Sequence, residues 1–288
     1  MTAIPLAGRT ALVTGVSRRR GIGFAVARRL AEDGASVAIH HHRAHDLDQP
    51  WGADDLDAVR GGIRSALVGD ARFADVGGDF SAAEGAPAVF TEAAALLGPI
   101  DILVCNQARS GGDGSILDVD AETLDSFWHI DTRATLQLTS LFARQFAGGH
   151  GVAVRPGDRL ESRGPYATPR GHVFWMTSGQ QDGPMRGEVA YAASKAALAG
   201  VTPTVAAELL ELGLVLNTIN PGPVNTGYLD AETTDRDLTG IEAQVAALPF
   251  GRYGAPEDPA NLIAWLCSAQ GAWVVGQVLT SDGGFGLA

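Results

Sequence analysis

The stretch Thr14–Gly23, TGVSRRRGIG, follows the apolar run ALV near the start of the chain and leads directly into GFAVARRLAEDG. A β-branched run, a glycine-rich turn and an alanine-rich amphipathic segment, in that order, read as strand, turn and helix. Such a turn aims backbone N–H groups and the positive end of the helix dipole at one place, and an anion binds there. Gly15 makes the tight turn, Gly21 lets the backbone come close to the bound group, and Gly23 permits close packing of helix on strand. The spacing departs from G-x-G-x-x-G, so the loop alone is a weak sign. Arg18, Arg19 and Arg20 stand inside it.

Outward from this loop the same rhythm repeats. TALVTG, SVAIHH, DILVCN, HVFWMTS, LVLNTIN and QVLTSDGG read as strands, while GFAVARRLAEDG, APAVFTEAAALLG, YAASKAALAG and PEDPANLIAWLCSAQ read as helices. The alternation predicts right-handed crossovers and an α/β fold of the Rossmann kind, a doubly wound parallel sheet flanked by helices. Residues 1–288 are read as one domain, with loop insertions near 43–55 (HRAHDLDQPWGADD) and 148–171 (GGHGVAVRPGDRLESRGPYATPRG), both rich in Gly, Pro and charge. The second insertion reads either as a substrate lid or as a solvated surface loop. No internal repeat is visible.

Composition narrows the partners. The chain has 288 residues, 45% hydrophobic and 19% charged, enough apolar material for one large core. Its formal net charge of −12 argues against a non-specific nucleic-acid binder, which needs a basic face. Small molecules and copies of the chain are the expected partners. The two cysteines, Cys105 and Cys267, sit in apolar runs, so neither a disulfide framework nor a cysteine-rich zinc site is expected and a reducing cytoplasm fits. No basic segment precedes a long apolar stretch, and no apolar run has the length to span a bilayer. The run HHHRAH places His40 and His42 on one face of a strand, yet no acidic or cysteine ligands accompany them, and no metal site is expected.

A second cluster lies far down the chain, in MTSGQQDGPMRGEVAYAASKAAL. Tyr191 and Lys195 are four residues apart, so on a helix they share a face and a phenol meets an ammonium. A neighbouring cation favours the ionised phenol and makes it a useful acid or base near neutral pH. Ser178, at a strand end, can hydrogen-bond the same substrate oxygen. An isolated Y-x-x-x-K is usually an ordinary surface pair, and it gains meaning here from the serine and the anion loop in one domain.

With these residues in view the sequence resembles the short-chain dehydrogenase/reductase family over nearly its whole length, most closely the branch similar to 3-oxoacyl-[acyl-carrier-protein] reductases. TGVSRRRGIG resembles the cofactor loop with two extra residues, ILVCNQA stands where the family has N-N-A-G, and INPGPVNTG matches its P-G-x-x-x-T segment. GRYGAPEDPANLIAWLCS and GQVLTSDGG resemble its last helix and last strand. The resemblance implies that Ser178 orients a carbonyl, Tyr191 exchanges the proton, and Lys195 lowers the tyrosine pKa and holds the nicotinamide ribose. It implies a cofactor held by Gly15, Ser17, Arg18, Arg19, Gly21, Ile22 and Gly23, with Asp79 and Phe80 at the adenine. Asn106, Gln107 and Ala108 then line it, and Pro221, Gly222, Val224 and Thr226 belong to the segment that receives the carboxamide.

The family's discriminating acid at the end of the second strand falls on His41, followed by His42 and Arg43. No carboxylate stands there to repel a 2′-phosphate. NADP (NADPH) is therefore expected over NAD, held by Arg18 or Arg19 together with His41 or Arg43. The expected activity is hydride transfer between nicotinamide and a ketone, 3-oxoacyl group or secondary alcohol, in a cytoplasmic homo-oligomer, a tetramer whose helices starting near Glu122 and Glu188 pair across a two-fold axis. Two other readings stand beside it: an NAD-dependent dehydrogenase of a sugar, polyol or secondary metabolite, and a non-catalytic dinucleotide sensor.

Three departures from the family bear on these expectations. Its fourth catalytic residue, an Asn, falls on Asp131, whose carboxylate would oppose formation of the phenolate. Gln107 puts a bulkier side chain where the backbone passes close to the cofactor. Pro203 lies inside the helix that carries Tyr191 and Lys195, where a kink or a helix in two pieces is expected.

Overall fold

The computed structural model describes residues 4–147, 160, 162, 164–234 and 237–287. Strands β1 (Thr10–Val13), β2 (Ser36–His41), β3 (Phe73–Gly77), β4 (Ile102–Cys105), β5 (Gly171–Met176), β6 (Leu214–Asn220) and β7 (Val278–Thr280) form one sheet in the order β3-β2-β1-β4-β5-β6-β7. Every pair is parallel, with Val13 facing Ile39 on one side and Val104 on the other. The order grows one way from β1 and the other way from β4, so the crevice of a doubly wound sheet opens at their carboxyl ends.

Helices cover both faces, and this accounts for the near-continuous apolar strands. On one face α4 (Gly85–Leu97), α6 (Ala134–Phe146) and α7 (Val189–Leu210) pack with Leu12, Leu103, Trp175 and Leu216. The buried Trp175 indole N–H donates to Thr139 Oγ1 at 3.0 Å, so the largest core side chain carries no unmet donor. On the other face α1 (Ile22–Glu32), α3 (Leu56–Arg64) and α9 (Glu257–Leu266) pack with Val13, Val37, Ile39 and Val104.

Four sequence expectations change. The strand β3 is additional to the six read from sequence: FADVG carries an aspartate and ends in glycine, and as an edge strand it pairs only with β2. The segment 43–55 is not wholly a loop, since Arg43–Leu47 forms the short helix α2. The chain after β4 runs through α5 (Ala121–Phe127) and a π-helical turn, Trp128–Arg133, before α6. Pro203 does not split α7, which runs unbroken for 22 residues. Beside the proline, Thr202 Oγ1 donates to the Leu198 carbonyl at 2.8 Å and meets Thr218 Oγ1 of β6 at 2.6 Å, so tertiary contact holds the helix through it. Most of the 148–171 insertion lies outside the described residues; α8 (Thr239–Ala247) completes the helices used below.

Candidate active site

A cavity of about 620 Å³ opens over the carboxyl ends of the strands, where the loops after β1, β2, β4, β5 and β6 meet. At its floor the glycine loop lies against the loop after β4. Gly15 has φ +69°, and a Cβ there would stand 2.8 Å from Gln107 Cα; one on Gly23 would stand 2.6 Å from Asn106 Nδ2. Only glycine fits both places. The Asn106 amide donates to the carbonyls of Thr14 and Gly15 at 3.1 Å each and fixes the turn. Gly21 precedes helix α1 and offers no side chain to cap it, so the first N–H groups of the helix are available to a ligand.

Gln107 leaves the passage open. Its side chain turns inward, with Nε2 donating to Thr135 Oγ1 at 2.9 Å and to the Ile130 carbonyl at 3.2 Å, while Oε1 accepts from Thr14 Oγ1. The bulk that the sequence placed against a cofactor is spent in tying β1 to α6 and the π-helical turn.

Ser178, Tyr191 and Lys195 come together on one wall of the cavity. Lys195 is buried, donates from Nζ to the Met176 carbonyl at 3.1 Å, and lies 5.7 Å from the centre of the Tyr191 ring. The phenol pKa is pushed above its ordinary value, first by burial and then by the charge of Asp131, against the lowering effect of its hydrogen bond with Ser178. The lysine therefore does not dominate the balance on the phenol. The tyrosine's helix is capped from a distance: Asp113, in the loop after β4, accepts from the backbone N–H of Ala190 at 3.1 Å and of Tyr191 at 2.8 Å. The sequence reading missed this residue, whose only sign was an aspartate after two glycines.

Asp131 lies outside the cavity lining, fully buried in the π-helical turn. Its carboxylate accepts from Arg109 N at 2.7 Å and from Ser194 Oγ at 2.9 Å, and its own carbonyl accepts from Thr135 Oγ1 at 2.6 Å. Burial raises its pKa, and Lys195 and these donors oppose the rise. It reaches the phenol as a charge held in a fixed place rather than as a touching group.

At the other end of the cavity the placement is mixed. Gly15, Ser17, Arg18, Gly21, Ile22, Asp79 and Phe80 line it, as do Asn106, Gln107 and Ala108 and, across the opening, Pro221, Gly222, Val224 and Thr226. Gly23, Arg19, His41 and Arg43 do not. Gly23 packs beneath the loop, and Arg19 runs along the surface to Asp54 with Nη2 3.2 Å from Oδ1. The His41 ring faces the opposite side of β2, 3.3 Å from Asp75, which also binds Arg60. Strand alternation puts His40 and His42 on the cavity side instead. His40 stacks on Phe80 with ring centres 4.0 Å apart, donates to the Gly78 carbonyl at 3.0 Å and accepts from Gly15 N at 3.4 Å. Burial drives its pKa down to about 3 and keeps it neutral.

The segment 43–55 supplies further lining that the sequence reading did not assign, His45, Asp46 and Trp51. Asp46 is buried; it accepts from Ser17 Oγ and stands 3.3 Å from Arg18 Nε. Arg18 also donates to the Thr226 carbonyl at 2.9 Å and lies over the Trp51 ring at 5.6 Å, so it crosses from the glycine loop to the loop after β6. Burial lowers its pKa and Asp46 opposes that fall. The signal for these contacts was present as complementary charge, three arginines in one loop and aspartates in the next. Among the described residues no group of three or more His, Cys, Asp or Glu could hold a metal, and no helix is long and apolar enough to cross a membrane.

Residues 9–155 match the short chain dehydrogenase family, and residues 160–286 match a family described as Enoyl-(Acyl carrier protein) reductase. An uncharacterized oxidoreductase, YjdA, of Bacillus subtilis is 31% identical over 278 residues, 96% of each chain. An NADPH-dependent aldehyde reductase-like protein of Arabidopsis thaliana is 30% identical over 292 residues, covering 98% of this chain and 96% of the relative. Among solved structures, a short chain dehydrogenase from Burkholderia cenocepacia in complex with NADP is similar with a TM-score of 0.75 and 29% identity, over 98% of this chain and 99% of that one.

Proposed function

This chain belongs to the short-chain dehydrogenase/reductase family of oxidoreductases, and from that premise we propose that it reduces a ketone, aldehyde or 3-oxoacyl carbonyl with NADP(H). The observation that carries the reading is the convergence of Ser178, Tyr191 and Lys195 on the cavity that also receives the uncapped start of α1. The cavity's residues suit a dinucleotide: a diphosphate fits the glycine cradle, which no Cβ could enter, and Ser17 with Arg18 suits a 2′-phosphate. Asp79 and Phe80 would hold the adenine, Asn106 to Ala108 the middle of the molecule, and Pro221 to Thr226 the carboxamide.

When bound, the nicotinamide supplies the hydride. The protein's own part is proton transfer and orientation. Ser178 Oγ donates to the substrate carbonyl oxygen, and the Tyr191 phenol gives that oxygen its proton. The raised pKa keeps the phenol protonated, so it holds the proton this direction needs, while making it a weaker donor than a phenol nearer neutrality. The Lys195 ammonium, held by the Met176 carbonyl beside the ring, offsets the phenolate that remains.

A homo-oligomer, with a tetramer as its form, goes with this reading. Leu124 at 40% and Trp128 at 46% exposure on the α5 side, and Phe250, Trp273 and Leu287 at 74%, 96% and 93% near the carboxyl end, offer apolar surface for such contacts. Its place is the cytoplasm. A panel of ketones, aldehydes and secondary alcohols, assayed with NADPH and NADH by the nicotinamide absorbance, tests the activity. Turnover of a carbonyl with NADPH is expected, and turnover only of alcohols with NAD would overturn the reading. Light scattering showing a monomer at micromolar concentration would overturn the oligomer.

A further inference from the structure

Each arginine of the glycine loop is met by a carboxylate from outside the loop. Arg18 pairs with Asp46, Arg19 with Asp54, and Arg20 with Asp230 at 2.7 Å. The three pairs differ in kind. The side chains of Arg19 and Arg20 are 54% and 60% exposed, whereas that of Arg18 is 15% exposed and that of Asp46 is 9% exposed. Of the three arginines only Arg18 lines the main cavity, and its neighbour Ser17 lines it too.

Asp46 binds both of these groups, Ser17 through its hydroxyl and Arg18 through Nε. A hydroxyl and a guanidinium aimed at one point make an anion site, and the protein places an anion of its own there. We propose that Asp46 is a cofactor-discriminating residue: its carboxylate occupies the site formed by Ser17 and Arg18 and competes for it with the 2′-phosphate of NADP(H). The proposal rests on the reading of the cavity as a dinucleotide site.

A carboxylate and a phosphate cannot share one guanidinium edge and one hydroxyl at close range without strong repulsion. The remaining edge of Arg18 is already engaged, since Nη1 donates to the Thr226 carbonyl at 2.9 Å. A 2′-phosphate therefore gains Arg18 only as Asp46 gives it up. A 2′-hydroxyl meets no such conflict and can donate to the same carboxylate. The preference for NADP(H) is thus set jointly by the loop, which supplies the arginine, and by the insertion, which supplies its competitor. The role usual for an acid at the end of β2 is carried by a residue five positions further on, in a helix that the insertion adds.

Calorimetric titration with NADP⁺ and with NAD⁺ tests this on the unmodified protein, Asp46→Asn, Arg18→Ala and the double variant, each checked for folding by circular dichroism. Asp46→Asn is expected to raise the ratio of NADP⁺ to NAD⁺ affinity about tenfold, mainly by tightening NADP⁺, and Arg18→Ala to lower it by about as much. In the Arg18→Ala background, Asp46→Asn is expected to lose most of its effect, because the two residues act on one phosphate. Should the asparagine variant not fold, Asp46→Ser removes the same charge with less bulk. A ratio that moves with Arg18→Ala but is unchanged or lowered by Asp46 substitution overturns the proposal. Failure of the unmodified protein to bind either dinucleotide would overturn the reading of the cavity instead.

Discussion

The two ends of the cavity are built by different means. At the catalytic end the chemistry stands on regular elements: Ser178 follows β5, and Tyr191 and Lys195 stand on the first turns of α7, where a separation of four residues fixes their common face. At the anion end the active groups stand on loops, and each is positioned by a partner from elsewhere in the chain. Arg18 is held by Asp46, 28 residues on, and by Thr226, 208 residues on. One end is specified by the geometry of a helix and the other by pairing between segments, and the two should respond differently to substitution.

The comparison would break most plainly at Tyr191. Loss of the phenol hydroxyl in Tyr191→Phe is expected to lower turnover roughly a thousandfold while dinucleotide affinity changes little. Turnover close to that of the unmodified protein would remove the catalytic end from the comparison altogether.

A smaller effect is expected from the cap on the same helix. Because Asp113 accepts from the N–H groups of Ala190 and Tyr191, Asp113→Ala should cost about 1 kcal/mol in denaturant unfolding and lower kcat about tenfold, with KM moved less. Asp113→Asn, which keeps an accepting oxygen, should recover much of the rate. Equal losses in both variants would mean that the charge, not the cap, is what matters there.

Asp131 tests electrostatics at the catalytic end without touching the reacting atoms. Its negative charge raises the phenol pKa, so Asp131→Asn should lower it. In alcohol oxidation the phenolate is the active form, and the rate rises as pH passes the phenol pKa. The rising limb should therefore move to lower pH by up to about one unit. An unmoved limb would show that Asp131 is protonated over that range.

The smallest effect belongs to the anion end. Arg19 pairs with Asp54 on the surface and lies outside the cavity lining, so Arg19→Ala should change NADP⁺ affinity by no more than about twofold. A drop comparable to that of Arg18→Ala would place both arginines on the phosphate and blur the contrast drawn between them.

The same contrast governs what could be read from the sequence. Six strands and the Tyr191–Lys195 face followed from periodicity, because apolar repeats and helical spacing are local properties. The strand β3 escaped because FADVG is short, carries Asp75 among its apolar residues and has one neighbour only. His41 was assigned to the cofactor by position along β2, but its ring points to Asp75, which Arg60 also binds, and the pleat gives the cavity to His40 and His42. Gln107 read as an obstruction because its inward partners lie on two segments distant in sequence, Thr14 after β1 and Ile130 and Thr135 where the π-helical turn runs into α6. The Asp46 pairing was equally hidden: a sequence displays complementary charges but not which of several aspartates reaches which arginine.

Two of the stretches that the sequence reads as long for the family, the glycine turn and 43–55, form a single transplantable unit. Asp46 and Asp54 of one balance Arg18 and Arg19 of the other. Trimming the insertion would leave those two arginines without their pairs, and shortening the turn would strand a buried carboxylate at Asp46. Engineers who graft either piece onto a related scaffold should therefore move both together, or redesign the charges left behind on each side.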